Sequence, residues 1–189
     1  MSSTKEQLKE YLKDLSFPSG RALSIGCKND DRKYFNQADF TEWKTLDNDK
    51  DNKPDYLWDI NDSIWEDGVG VEIGNSFDYV FALELFEYVF DPVTAHKNIA
   101  DLMKTNGLYI GSYHFLYPVH NPVKKDYLRY TQEAIEKYLE MSGFGRINYQ
   151  ARIAGLKLKE FYKEEGMRMA ESEARHDIVG WIVQAEKVH

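Results

Sequence analysis

Short apolar runs, several of them ending at a glycine or an acid, recur along this chain and alternate with segments of helical spacing, and that alternation constrains its fold more than any other feature. The run Arg21-Ala22-Leu23-Ser24-Ile25-Gly26 reads as a buried parallel strand, since a strand covered on both faces is apolar throughout instead of alternating. Thr41-Glu42-Trp43-Lys44-Thr45-Leu46, ending at Asp47, is a second strand candidate, and Asp55-Tyr56-Leu57-Trp58-Asp59 is a third. Phe77-Asp78-Tyr79-Val80-Phe81-Ala82-Leu83 is the clearest, bounded by Gly74-Asn75-Ser76. Leu108-Tyr109-Ile110-Gly111-Ser112-Tyr113 makes a fifth. Helical spacing appears over 4–15, with Leu8, Tyr11, Leu12 and Leu15 on one stripe. It recurs over 92–104, where Asn106-Gly107 is the expected stop, and from a Thr131 cap to Met141, where Gly143 ends it. The remainder reads as a strand near 145–152, a helix near 155–170 and a last strand over 178–185. Strands alternating with helices predict an α/β fold with a doubly wound parallel sheet.

The 189 residues suit one domain: an N-terminal helix over 1–16, then halves over 21–114 and 115–189. A net charge of −8 argues against a nucleic-acid partner held mainly through phosphates, because a polyanion is repelled at long range. Cys27 is the only cysteine, which excludes an internal disulfide and disfavours a zinc–thiolate site. No long apolar stretch is present and the first residues lack an apolar leader core, so the expectation is a cytoplasmic protein without a membrane partner.

In a doubly wound sheet the ligand sits beyond the carboxyl ends of the strands, near the switch point. The candidate residues are therefore those just after each strand. Gly26, between Ile25 and Cys27, lets a backbone approach a ligand closely, although one glycine also makes a plain tight turn. Asp47 lies about 20 residues further on, where a nucleotide-binding unit places an acid for ribose hydroxyls. A carboxylate suits that task because two oxygens accept two hydroxyl protons. In the run Asp47-Asn48-Asp49-Lys50-Asp51 it also reads as a solvated loop. Asp59 followed by Ile60 suits an adenine amino group and ring face, or simply a polar strand end. Leu83 opens a turn of mixed apolar and acidic residues, Glu84-Leu85-Phe86-Glu87-Tyr88-Val89.

In that order, these residues resemble the class I S-adenosylmethionine-dependent methyltransferases, and in particular methyltransferase type 11. The resemblance runs over about 21–144. Ala22-Leu23-Ser24-Ile25-Gly26-Cys27 resembles the family's first strand and glycine turn. Thr45-Leu46-Asp47 is similar to its ribose-binding acid, Tyr56-Leu57-Trp58-Asp59-Ile60 to its adenine-side strand end, and Ser76-Phe77-Asp78-Tyr79-Val80 to its fourth strand. Leu102-Met103-Lys104-Thr105-Asn106-Gly107-Leu108 resembles its helix-to-fifth-strand signature. The late segment Pro118-Val119-His120, then Asp126-Tyr127-Leu128-Arg129-Tyr130-Thr131, resembles a subset with sugar-like or uncharacterised acceptors.

The resemblance implies a Rossmann-like seven-stranded sheet, mostly parallel with an antiparallel last strand. It also implies S-adenosylmethionine as cofactor, held by Ile25, Gly26, Cys27, Asp47, Asn48, Asp59, Ile60 and Leu83. Methyl transfer to a small-molecule acceptor follows, with a sugar or sugar-linked metabolite as the narrower expectation. His120 is the candidate base, since imidazole titrates near neutrality; it can equally pin the Pro118–Pro122 turn. Asp126 is the candidate to orient His120 or bind an acceptor hydroxyl, and Arg129 to pair with such a carboxylate. Tyr113, Phe115, Tyr117, Tyr127 and Tyr130 are expected to line that loop or to pack. His114, at a strand end, is the alternative base with a packing role favoured. No metal-ligand spacing is present, so no metal is expected.

The chain departs from the family at Ser24, where an acid is usual, at Lys28 and Asp30, where glycines are usual, and at Tyr88, where many relatives carry histidine. Those replacements support a second reading, a non-catalytic binding or interaction module on the same fold. A nicotinamide dehydrogenase is disfavoured because the turn lacks G-x-G-x-x-G. A nucleic-acid methylase is disfavoured by the charge and by the absence of an Asn-Pro-Pro-aromatic motif.

Overall fold

The computed structural model describes residues 4–26, 31–35, 37–66, 68–119, 121–153 and 177–188. Seven strands form one sheet: β1 (Ser16–Ile25), β2 (Gln37–Asp47), β3 (Tyr56–Leu57), β4 (Phe77–Ala82), β5 (Met103–His114), β6 (Phe144–Ile153) and β7 (Ile178–Lys187). Their order is β3-β2-β1-β4-β5-β7-β6. The first five strands pair in parallel, whereas β7 runs antiparallel to both β5 and β6. The sheet is thus doubly wound and mostly parallel with an antiparallel last strand, as the resemblance implied. Helices α1 (Thr4–Lys13), α2 (Val69–Ile73), α3 (Pro92–Leu102) and α4 (Gln132–Met141) flank it.

Helix α1 buries Leu8 and Leu12, members of the expected apolar stripe. Asp91 caps α3: its Oδ1 accepts from the Val93 and Thr94 amides, and Pro92 occupies the first turn, where its missing N–H is not needed. Thr131 caps α4 by accepting from the Ala134 amide, and Gly143 follows that helix at φ 86°.

Three expectations need correction. The run Phe17-Pro18-Ser19-Gly20, whose proline and glycine read as the stop of the first helix, is already strand, with register shifts around Gly20 that accommodate the proline. Helix α3 ends at Leu102 instead of at Asn106-Gly107; Met103 pairs with Phe77, and Asn106 at φ 64° forms a bulge inside β5. The strict strand–helix alternation fails between β1 and β2, where a single 3₁₀ turn (Asp31–Tyr34) is the described element, and β3 has only two residues. The helix expected near 155–170 lies outside the described residues. Among the described residues no helix is long and apolar enough to cross a membrane.

Aromatic side chains cover the face that the short β1–β2 connection leaves without a long helix. Phe17, Phe35, Phe40, Trp43, Tyr79 and Phe81 pack mutually; Phe81 stacks on Trp43 at 5.4 Å and meets Phe35 at 4.5 Å between ring centroids. Each ring buries a large apolar area, so six of them supply what a helix would. The opposite face carries α2, α3 and α4 over Leu23, Val80, Ile99, Tyr109 and Ile135.

Within that second layer, His96 is fully buried. Its Nδ1 faces the Pro92 carbonyl, which only accepts, so Nδ1 bears the proton and Nε2 accepts from the Tyr113 hydroxyl at 2.8 Å. Tyr113 in turn accepts from Tyr109 at 2.7 Å. Burial pushes the His96 imidazole down to about 4.

Two outcomes follow. Phe81→Ala, which empties the centre of the aromatic layer, will destabilise the protein by about 3–5 kcal/mol in urea unfolding. Because His96 titrates lower in the folded protein than in the unfolded chain, the unfolded chain binds more protons between about pH 6.5 and 4. Stability will therefore fall on acidification through that window by up to ~1.4 kcal/mol per pH unit, and His96→Gln will flatten the slope.

Candidate functional site

A cavity of about 490 Å³ opens at the carboxyl ends of β1, β2, β3 and β4. Its position follows from topology: β1 pairs with β2 on one side and β4 on the other, so the connections leave in opposite directions and a crevice opens between them. Gly26 forms its floor at φ 73°, and its amide donates to the Leu46 carbonyl at 2.8 Å. A Cβ here would lie 2.6 Å from Leu85 Cδ1. Both the left-handed backbone and the close approach of the β4 turn therefore call for glycine at this position.

The end of β2 presents Asp47 and Asn48 to the cavity. Asp47 is nearly buried; Oδ1 accepts from the Asp49 amide at 2.8 Å and Oδ2 from Asn52 Nδ2 at 3.0 Å. Those two bonds fix the carboxylate and leave accepting capacity on each oxygen. Asn48 Nδ2 donates to Asp59 Oδ2 at 2.7 Å, tying the β2 and β3 ends together. Burial raises the Asp59 carboxyl, but hydrogen bonds from the Asn61 amide, Asn48 and the Asn61 side chain outweigh it and hold Asp59 below the usual carboxylate range.

The loop that carries Asp59 and Ile60 is pinned from behind. Asn61 Oδ1 accepts from the Phe90 and Asp91 amides at 2.9 Å each. The buried Asn98 of α3 donates to the Ile60 and Asp62 carbonyls at 2.8 and 2.7 Å. Backbone groups that would otherwise sit unsatisfied in a buried loop are thereby paired.

Beyond β4, Leu83 and Glu84 line the cavity. Glu84 adopts φ 52°, a left-handed backbone that costs a non-glycine residue of the order of 1–3 kcal/mol. Ser112 of β5 stabilises it from both sides, its Oγ accepting from the Glu84 amide and donating to Oε1, each at 2.8 Å. Arg152 of β6, 1% exposed, donates from Nη1 to Oε1 at 2.6 Å and from Nη2 to Oε2 at 3.3 Å. His114 Nε2 lies 3.5 Å from Glu84 and 3.2 Å from the buried Glu87, and its ring stacks on Tyr117 at 4.1 Å. Burial raises the Glu84 carboxyl; the charges of Arg152 and His114 and the bonds from Arg152 and Ser112 bring it below its ordinary value. Helix α1 closes this side: Arg152 Nε donates to the Thr4 carbonyl at 3.2 Å, Gln7 exchanges two hydrogen bonds with the Ile153 backbone, and Lys5 and Leu8 join the wall.

The loop after β5 borders the cavity through Asn121, Pro122 and Lys125. Asp126 and Arg129 form the expected ion pair, with Nη2 2.8 Å from Oδ2. Arg129 also donates to the Tyr117 and Pro118 carbonyls at 3.0 and 3.1 Å, which closes the loop on itself. The Asp126 side chain is 0% exposed and lies outside the cavity wall, so its geometry is that of a lock. Tyr88 is in the wall; its hydroxyl donates to the Asn121 carbonyl at 3.1 Å. Burial, then the Glu87, Asp126 and Glu84 carboxylates, push Tyr88 up to about 12, so it stays protonated at neutral pH.

Of the sequence-selected residues, Ile25, Gly26, Asp47, Asn48, Asp59, Ile60 and Leu83 meet in this one cavity. Cys27, Lys28, Asp30 and His120 lie outside the described residues. Of the two roles open to the aromatic residues of that loop, lining and packing, the lining role is not taken at this cavity. Tyr113 and Tyr130 are core residues, Tyr127 is exposed against Phe90, and none of the five aromatic residues borders the cavity. Glu84 belongs to the acidic turn that the sequence marks after the fourth strand, but Arg152 escaped the sequence reading; a lone arginine in the alternating β6 carries no local mark of burial beneath a glutamate 68 positions away.

No family model matches the sequence, and no curated protein matches it either. Solved structures do. An S-adenosylmethionine-dependent methyltransferase from Mesorhizobium loti is 13% identical, with 98% of each chain covered and a TM-score of 0.61. The YcgJ protein of Bacillus subtilis is 11% identical, again with 98% of each chain covered, at a TM-score of 0.60. Phosphoethanolamine N-methyltransferase 2 of Haemonchus contortus, in complex with S-adenosyl-L-methionine, is 14% identical at a TM-score of 0.56; the match covers 98% of this chain and 52% of that one. With its strand order, its antiparallel last strand and its cavity at the strand ends, the chain has the fold of the class I S-adenosylmethionine-dependent methyltransferases.

Proposed function

We propose that this chain binds S-adenosylmethionine across the carboxyl ends of β1–β4 and transfers its methyl group to a small-molecule acceptor. The observation that carries the reading is the convergence of the strand-end residues on one cavity. The residues fit the group. Gly26 leaves a cradle that a Cβ would fill, Asp47 offers two fixed oxygens to a ribose diol, and Ile60 lies beside Asp59 to cover a planar base.

When bound, the cofactor supplies a methyl group on a sulfonium, already a good leaving group. The work of the protein is therefore alignment and exclusion of water. Asn61 and Asn98 brace the β3 loop against α3 and the turn before it, and a braced loop lowers the ordering cost of binding. On the acceptor side, the Asp126–Arg129 pair sets the shape of the loop between β5 and α4. His120, one residue before the cavity-lining Asn121, is the proposed proton acceptor for a hydroxyl substrate, and Asp126 acts on it through the loop instead of by touching the substrate. Tyr88 keeps its proton and takes no part as a base. The resemblance of the late segment to enzymes with sugar-like acceptors favours a sugar or sugar-linked metabolite, in a protein that works in the cytoplasm.

The second reading, a non-catalytic binding module, draws on Ser24, Lys28 and Asp30 in the glycine turn. Isothermal calorimetry with S-adenosylmethionine and S-adenosylhomocysteine separates the two. Under the enzyme reading both ligands bind, and Asp47→Ala weakens them by about tenfold or more, as expected on losing charged hydrogen bonds to the ribose. No binding by the wild-type protein would leave the module reading standing.

A further inference from the structure

Glu84 stands apart from the other acids of the cavity. Asp47 and Asp59 are held by neutral amides, as donors at strand ends commonly are. Glu84 instead rests on a buried guanidinium delivered from β6 and a hydroxyl from β5, in a left-handed backbone conformation. That support is uneven. Oε1 accepts two short bonds, at 2.6 Å from Arg152 and 2.8 Å from Ser112. Oε2 has only longer contacts, at 3.3 Å to Arg152 and 3.5 Å to His114. A carboxylate oxygen offers two accepting positions, so Oε2 retains capacity for a strong donor. The side chain is 31% exposed and lines the cavity.

Strand pairing locates this oxygen. Ser24 pairs with Phe81 and Ile25 with Ala82, so Leu83 follows β4 where Gly26 follows β1, Glu84 comes one residue later, and Leu85 packs on Gly26. Ser24 is buried and uncharged, so the anion at this end of the cavity comes from β4 instead of β1. Two carboxylates, Glu84 and Glu87, face one guanidinium and one imidazole. Of these groups only Glu84 borders the cavity, so the face the group turns to a ligand is a carboxylate.

We propose that Glu84 is the cation-binding carboxylate of the cavity, its Oε2 accepting from an ammonium group on the bound ligand beside the Gly26 turn. This rests on the cofactor reading above, since the amino-acid end of S-adenosylmethionine bears such an ammonium. Arg152 and Ser112 are positioning residues that keep the carboxylate ionised and aimed.

The test is calorimetry of the wild-type protein and Glu84→Gln with three probes. These are S-adenosylhomocysteine, its analogue with hydrogen in place of the α-amino group, and 5′-methylthioadenosine, which lacks the amino-acid end. The expected result is that wild type binds S-adenosylhomocysteine at least about tenfold more tightly than the deaminated analogue. Glu84→Gln loses that preference while its affinity for 5′-methylthioadenosine stays within about twofold. Equal losses for S-adenosylhomocysteine and 5′-methylthioadenosine, or no loss for either, would overturn the assignment. Should Glu84→Gln fail to fold, the wild-type comparison decides alone: equal affinity for S-adenosylhomocysteine and the deaminated analogue rejects the ammonium contact. Wild-type protein that binds none of the three probes rejects the cofactor reading itself, and this inference with it.

Discussion

Parallel pairing of β1 with β2 on one side and β4 on the other is the constraint from which the rest of this molecule follows. It aligns the carboxyl ends of four strands at one edge and sends their connections apart, so that a crevice forms without any residue being spent on shaping it. The same pairing obliges both faces of the sheet to be covered. One face receives α2, α3 and α4; the other receives α1 and a layer of six aromatic rings. Phe35, just after the 3₁₀ turn of the β1–β2 connection, reaches into that layer.

The crevice is held by polar groups that tie the strand ends to neighbouring elements. Asn98 and Asn61 tie the β3 loop to α3, and Arg152 ties the β4 end to β6 and to the first turn of α1. Buried charges of this kind add little net stability, but removing one partner leaves the other stranded at a cost of about 3–5 kcal/mol. Their effect is specificity of arrangement. Glu84 holds a strained backbone because Ser112 and Arg152 over-determine it, and the strain sits where a ligand would meet the carboxylate.

Much of the sheet was legible from the pattern of apolar runs. Runs such as Phe77-Asp78-Tyr79-Val80-Phe81-Ala82 are apolar on both sides because both faces are buried, and that pattern survives in any reading of the sequence. Thr131 was legible as a cap because a helix start is decided by three or four adjacent residues. Boundaries were harder. Pro18 suggested a break but lies within β1, and Asn106-Gly107 suggested a helix stop but forms a bulge, since register with β4 outweighed local turn preference. The strand-end residues Gly26, Asp47 and Asp59 were legible because topology sends every strand end to one place. The aromatic residues of the loop after β5 were not; Tyr113 and Tyr130 turned inward to the core, where His96 and the Phe86 carbonyl meet their hydroxyls.

The sequence by itself determined the strands, the caps and the edge of the sheet at which a ligand site would lie, because each is set by periodicity or by neighbours a few residues apart. The tertiary structure alone decided that Glu84 would be charged, aimed and partly open, that His114 would be enclosed between two carboxylates, and that Asp126 would be sealed against Arg129. Those outcomes depend on groups up to 68 positions apart meeting in a medium of low dielectric, where the field of each determines the state of the others. No local pattern encodes such a meeting; it exists only once the sheet has set β4, β5, β7 and β6 in that order.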